Sequence, residues 1–291
     1  LLNPRLAILC LIRLLVQQKE IMKNNFNFNK DRKNCFFLIA GPCVIENEKL
    51  NFQTAEKLKE ITSKHSIPFI FKSSLYKANR TSQNSFSGIG YSQGLEILNK
   101  IKNELDLMVL TDVHEDSPLD EIAEVVDIFQ TPAFLCRQTN FIHKVVSYNI
   151  PVNIKKGQFL SPWEMQSVVE KAKSTGNENI LVCERGFSFG YNNLVSDMRS
   201  LVIMRETNCP VVFDATHSTQ LPGSNRDSSS GQSQYIAPLS RAAISVGISG
   251  IFMETQPNPK EALCDGMNSL PLEDIEKLLI NLKKLDEISK E

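Results

Sequence analysis

The chain has 291 residues, 42% of them hydrophobic, and a formal net charge of −1 from 32 Lys and Arg against 33 Asp and Glu. That length suits one barrel-sized domain with ample core material, and the near-neutral balance argues against broad binding to nucleic acid or acidic membranes. Seven cysteines, an odd number without framework spacing, fit a reducing, cytoplasmic setting better than a disulfide-stapled fold.

The chain opens on Leu1, and an apolar run over residues 6–12 is closed by Arg13. Such a run is too short to span a bilayer, and no small-residue cleavage site follows it. A start at Met22 accounts for the segment better, with residues 1–21 extraneous or loosely attached. Residues 23–33 are polar and Asn-rich, and no second composition regime appears after residue 35. The expected organisation is an extension over 1–34 and a single domain over 35–291.

Eight short apolar runs then recur at intervals suited to one helix each: Phe36–Ala40, Pro68–Lys72, Leu107–Thr111, Asp127–Gln130, Pro151–Lys155, Asn179–Cys183, Pro210–Asp214 and Gly250–Glu254. Their richness in Val, Ile, Leu and Phe, with little polar alternation, is how strands buried on both faces of a parallel sheet read. Amphipathic stretches such as Glu48–Ser63, Pro118–Val126 and Leu272–Ile288 fill the gaps. Eight strand–helix repeats predict a closed (β/α)8 TIM barrel, whose chemistry sits at the C-terminal strand ends. Those ends carry Cys43, Lys72, Asp112, Gln130, Lys155, Arg185, His217 and Glu254. Two polar loops stand out at the same end, 77–90 and 221–232; the second has the composition of a lid, and a plain connector fits it equally well.

Cys43, His217 and Glu254 follow the first, seventh and eighth strands, which become neighbours when a barrel closes, and Asp265 lies just beyond. Thiolate, imidazole and two carboxylates make a mixed shell for a divalent ion such as Zn²⁺, Fe²⁺ or Mn²⁺. Taken singly, Cys43 reads as a packed thiol and His217 as a loop hydrogen-bonder. A cationic set, Lys72, Lys77, Arg80, Arg137, Lys155, Lys156 and Arg185, also lies at or just after strand ends. Asp112, Glu184 and Asp214 could neutralise part of it as a structural network, and Lys156, alternating with Lys155, belongs there. The rest point to anionic ligands: two phosphates, or a phosphate with a carboxylate. Asp112, His114, Asp214 and His217 are the acid–base candidates, against a rival reading in which the two aspartates bridge helices. His65 and His143 receive no role.

The segments GPCVIE (41–46), FKSSLYKANRTS (71–82), TDVHE (111–115), QTPAFLCRQT (130–139), NIKKGQF (153–159), ERGFSFGYNNLVSDMRS (184–200), DATHSTQLPG (214–223) and FMETQPNPKEALCDGMNSLPL (252–272) together resemble the 3-deoxy-D-manno-octulosonate 8-phosphate synthase family over residues 35–288. KANRTS is the most telling, since the sister 3-deoxy-D-arabino-heptulosonate 7-phosphate synthases carry KPRTS there. The resemblance implies condensation of phosphoenolpyruvate with D-arabinose 5-phosphate and water, feeding lipopolysaccharide synthesis. It implies that Lys72, Lys77, Lys155 and Arg185 hold the phosphate and carboxylate of phosphoenolpyruvate, that Gln130 and Ser74 line that pocket, and that Asn79, Arg80 and Thr81 bind the pentose phosphate. Arg137 would reach a phosphate across a subunit interface, which implies a homotetramer. Cys43 after Gly-Pro, where metal-free members carry Asn, places the chain with the metal-dependent members, with Cys43, His217, Glu254 and Asp265 as ligands. Gln256 departs from the family's usual His. His217 and Asp112 are expected to assist proton transfer, with Cys43 and Lys155 completing the catalytic set. Against this stand the seven-carbon synthase, which takes erythrose 4-phosphate, and a non-catalytic phosphosugar-binding barrel.

Overall fold

The computed structural model describes residues 28–78, 86–223, 230–264 and 266–290. Eight parallel strands close on themselves: β1 Phe37–Gly41, β2 Phe69–Lys72, β3 Met108–Asp112, β4 Ile128–Thr131, β5 Val152–Lys155, β6 Ile180–Glu184, β7 Val211–Asp214 and β8 Gly250–Gln256. Each strand pairs with the next, and β8 pairs back to β1 in the register Phe37↔Gly250 through Gly41↔Glu254. The helices are α1 Glu48–Lys64, α2 Tyr91–Glu104, α3 Leu119–Val125, α4 Thr139–Val146, α5 Met165–Lys173, α6 Met198–Arg205, α7 Ile236–Val246 and α8 Leu272–Ile288. This is the (β/α)8 barrel that the eight apolar runs predict. Among the described residues, no helix is long and apolar enough to cross a membrane.

Side-chain alternation divides the core in two. Phe37, Ile39, Ile70, Leu110, Ile128, Leu181, Cys183, Val212 and Phe252 meet inside the barrel. Their neighbours in sequence, such as Leu38, Phe71, Val109, Phe129, Val152, Ile154, Val182 and Phe213, pack outward against the helices. α8 shows why these helices form: Leu272, Ile275, Leu279 and Leu282 recur at helical spacing and are buried on one face, each contributing about 1.5–3 kcal/mol on burial. Phe28 packs edge-on against Phe37, with ring centroids 5.9 Å apart. Gly250 is required beside Phe37, because a Cβ there would stand 2.3 Å from that ring.

Strand bounds differ from the sequence expectation by one or two residues, for physical reasons. Pro68, Pro151 and Pro210 accept hydrogen bonds from Leu38, Phe129 and Val182, but having no N–H they precede the ladders. Likewise β8 continues to Gln256 because Thr255 and Gln256 pair with Leu270 and Pro271. Of the two polar loops, residues 79–85 and 224–229 lie outside the described residues. The described ends of the second form a short antiparallel ribbon, Gln220↔Gly231 and Leu221↔Ser230.

Candidate active site at the barrel mouth

Closure brings β7, β8, β1 and β2 side by side, so the groups after these strands converge. Gly41 ends β1 where a Cβ would lie 2.1 Å from the Lys72 carbonyl; glycine lets the Pro42–Cys43 turn press onto β2. The Lys72 Nζ then donates to the Cys43 carbonyl at 3.0 Å and to the Glu254 carboxylate at 3.0 Å, and stands 3.5 Å from Asp112. Lys77 lies 3.7 Å from the same Glu254 oxygen. Burial opposes charge on Lys72, and the neighbouring Lys77 ammonium adds to that, yet Glu254 and Asp112 raise its pKa above the ordinary value.

Across the mouth, Asp214 organises a second cluster. One carboxylate oxygen accepts from the backbone of Thr216 and His217, at 3.2 and 2.8 Å. The other meets the Lys155 Nζ at 2.6 Å and the His217 Nδ1 at 2.8 Å. Burial works against the Asp214 charge, but His217 and Lys155 outweigh it and hold its pKa well below the usual carboxylate range. A carboxylate only accepts, so Nδ1 carries a proton. The Nε2 is turned toward Glu254, 3.6 Å away.

Asp112 anchors a third group. The Ser74 hydroxyl donates to one of its oxygens at 2.5 Å and the Gln130 amide to the other at 2.7 Å. Asn153 in turn donates to the Gln130 carbonyl at 2.8 Å. Burial again opposes ionisation, and the ammonium groups of Lys72, Lys77 and Lys155 reverse it, holding Asp112 well below its ordinary pKa. His114, two residues on, stacks edge-on with Tyr76 and is depressed by burial.

The mouth is therefore closer to neutral than its list of lysines suggests. Acids absorb more of the cationic set than expected: Lys155 pairs with Asp214, and Lys72 and Lys77 share Glu254, a partner absent from the sequence reading. Lys156 is structural, as its alternation with Lys155 requires; it is buried against Glu184 and the carbonyls of Gly157 and Leu160. Asp112 and Asp214 face the mouth and do not bridge helices. Arg185 is buried with its Nη2 2.5 Å from Gln220. Arg137 stands apart, exposed, 3.6 Å from Glu164. Asn79, Arg80, Thr81 and Asp265 lie outside the described residues.

Of the proposed metal ligands, His217 and Glu254 face one another, while the buried Cys43 sulfur lies 2.7 Å from that of Cys264, a contact the sequence reading missed. Burial and this hydrogen bond push the Cys43 thiol well above its ordinary pKa. Among the described residues no three His, Cys, Asp or Glu side chains are grouped tightly enough to hold an ion. The donor chemistry nonetheless suits one: sulfur, imidazole and carboxylate, with the imidazole oriented through its other nitrogen by Asp214, the arrangement typical of metal-binding histidines.

The DAHP synthetase I family model matches residues 19–291. The chain belongs to the DAHP synthetase I family. Within that family, a 2-dehydro-3-deoxyphosphooctonate aldolase of Legionella pneumophila (strain Corby) is 64% identical over 254 residues, 87% of this chain and 93% of the relative. One from Francisella tularensis subsp. mediasiatica is 61% identical over 264 residues, 91% and 96% of the two chains. A third, from Stenotrophomonas maltophilia, is 62% identical over 254 residues, 87% and 92%. In this DAHP synthetase I family chain, the residues missed from sequence are Cys264 and Asn153. Asn153 was detectable in principle: in Val152–Lys155 it shares the inward parity of Lys155.

Proposed function

We propose that this chain condenses phosphoenolpyruvate with D-arabinose 5-phosphate and water, releasing 3-deoxy-D-manno-octulosonate 8-phosphate and inorganic phosphate, for lipopolysaccharide biosynthesis in the cytoplasm. The observation that carries the reading is the gathering of Lys72, Lys77 and Lys155 with Asp112, Asp214 and Glu254 at one barrel mouth. The naming of relatives more than 60% identical supports it.

The enol carbon C3 of phosphoenolpyruvate forms a bond to the pentose aldehyde carbon, water adds at C2, and phosphate leaves with its bridging oxygen. Two anionic substrates repel one another, so ammonium and guanidinium groups must hold them together as well as orient them. Lys72, Lys77, Lys155 and Arg185 take the phosphate and carboxylate of phosphoenolpyruvate, with Ser74 and Gln130 beside them. Asn79, Arg80 and Thr81 take the pentose phosphate. Asp112 moves protons at the alcohol and water oxygens, while His217, whose Nδ1 is held by Asp214, would keep its Nε2 for the metal ion. A Schiff base on Lys72 is disfavoured, because Glu254 and Asp112 keep it protonated and phosphoenolpyruvate is already an activated enol.

The proposed metal ligands are Cys43, His217, Glu254 and Asp265, for Zn²⁺, Fe²⁺ or Mn²⁺. A bound divalent ion supplies Lewis-acid polarisation of a reacting oxygen. A homotetramer is also proposed, with Arg137 serving a neighbouring subunit's site. It is supported by exposed Phe134, Phe159, Trp163, Phe187, Phe189 and Tyr191 on the loops after β4, β5 and β6, an apolar display typical of subunit contacts. Light scattering that gave a fully active monomer would remove that part.

Acceptor choice tests the reaction. Phosphate release from phosphoenolpyruvate should be faster with D-arabinose 5-phosphate than with erythrose 4-phosphate. The reverse order would make the chain a seven-carbon synthase, and ligand binding without phosphate release a phosphosugar-binding barrel.

A further inference from the structure

Among the described residues, the inner surface of the barrel below the mouth is apolar, with one exception that the reaction as described does not use. Ile70, Leu110, Ile128, Leu181, Cys183, Val212 and Phe252 line it, and among them Asn153 is fully buried. A buried amide left without partners costs about 1–3 kcal/mol, so a residue of Leu or Val type would serve packing better. The register shows what the amide does instead. Asp112 is paired with Gln130 across β3 and β4, and Gln130 with Asn153 across β4 and β5. The three form one row over adjacent strands, which ends where Asn153 meets Leu181 on β6.

Hydrogen bonds run along this row in one direction. Asn153 donates to the Gln130 carbonyl at 2.8 Å, Gln130 donates to Asp112 at 2.7 Å, and Ser74 closes the far side of Asp112 at 2.5 Å. The direction is forced. Flipping both amides would aim the Gln130 carbonyl at a carboxylate that three ammonium groups keep ionised, and oxygen would face oxygen.

We propose that Asn153 is a positioning residue for the condensation: by donating to the Gln130 carbonyl it holds in place the amide that the ionised Asp112 orients, and so fixes the Asp112 carboxylate. This rests on the condensation reading above. Asn153 lies one side chain away from Asp112 and acts on the reaction only through Gln130.

Two substitutions test it. Asn153→Leu removes the donor and leaves the Gln130 carbonyl unsatisfied. Its kcat should fall on the order of 10- to 100-fold, more than KM rises, since small misplacements by remote substitutions cost up to ~10²-fold. Asn153→Asp keeps the shape and makes the donor depend on pH. While protonated, the new carboxyl can donate to Gln130 as the amide does; once ionised it demands the Gln130 N–H and turns the amide away from Asp112. Burial and Asp112 on β3 raise the pKa of that carboxyl, while Lys155 on β5 and Lys72 and Lys77 around the mouth lower it. The expected result is a kcat profile with an added limb: near wild type on the acid side, falling as pH rises, and absent from the wild-type curve. Circular dichroism and thermal melts confirm that each variant is folded; should Asn153→Leu fail to fold, the pH limb of Asn153→Asp decides alone. Wild-type kcat in Asn153→Asp across the pH range, or a loss independent of pH, would overturn the inference while leaving the condensation intact. Wild-type protein that releases no phosphate with either sugar would bring down the condensation reading and this inference together.

Discussion

Treating the purified protein with dipicolinate is expected to cut phosphate release by on the order of 10²–10³-fold, and added Mn²⁺ or Zn²⁺ to restore it, because Lewis-acid stabilisation is worth several kcal/mol at roughly 1.4 kcal/mol per decade. Cys43→Ala should behave like the chelated protein and resist rescue. The expectation follows from the donors. With its Nδ1 hydrogen-bonded to the Asp214 carboxylate, His217 has its Nε2 as the donor atom for an ion, and that nitrogen faces Glu254 across 3.6 Å. Glu254 is wholly buried and already draws two ammonium groups, so that carboxylate suits positive charge. Cys43 gives a readout independent of activity. With its sulfur 2.7 Å from Cys264, chelated protein exposed to diamide should yield a Cys43–Cys264 cross-linked peptide, and metal-loaded protein should not. Full activity after complete stripping, verified by elemental analysis, would rule the metal out, whatever the thiols do.

What could be read from sequence was what the backbone period alone dictates. Parallel strands buried on both faces leave short apolar runs, and the barrel places the residues at or just beyond the end of each run at the mouth; Cys43, Lys72, Asp112, Gln130, Lys155, His217 and Glu254 stand there. Pairing across the mouth was not legible. Glu254 reads as a ligand because it ends a strand, yet its contacts with Lys72 and Lys77 depend on the β8–β1 closure and on the turn allowed by Gly41. Cys264 was hidden for the same reason: its loop follows the last strand, and only closure brings it to the turn after the first. Asn153 was obscured by its flanks, since Val152 and Ile154 make the segment read as uniformly apolar.

Asp214→Asn is expected to lower kcat on the order of 10²–10³-fold and to destabilise the fold by about 3–5 kcal/mol at pH 7, the usual cost of leaving a buried charge without its partner. The substitution is nearly isosteric, so the loss is chemical. The Lys155 Nζ is 2.6 Å from the Asp214 carboxylate, and an amide cannot neutralise it. The effect on His217 is as severe. If the amide oxygen keeps the backbone N–H groups of Thr216 and His217, its NH₂ faces the Nδ1. That nitrogen must then accept, and the proton moves to Nε2, the atom facing Glu254. One change thus removes the counterion of a substrate-binding lysine and the lone pair of a metal-ligand candidate. The pH dependence separates this from general damage. The folded pKa of Asp214 is depressed, so its contribution to stability is fully present above the ordinary carboxylate pKa of about 3.9 and is lost as pH falls through the folded value. Urea unfolding of wild type and variant should therefore show a gap that is constant at neutral pH and narrows in acid below that point. A gap that did not narrow in acid, or a variant with wild-type kcat and metal content, would show that Asp214 neither holds Lys155 nor sets the His217 tautomer.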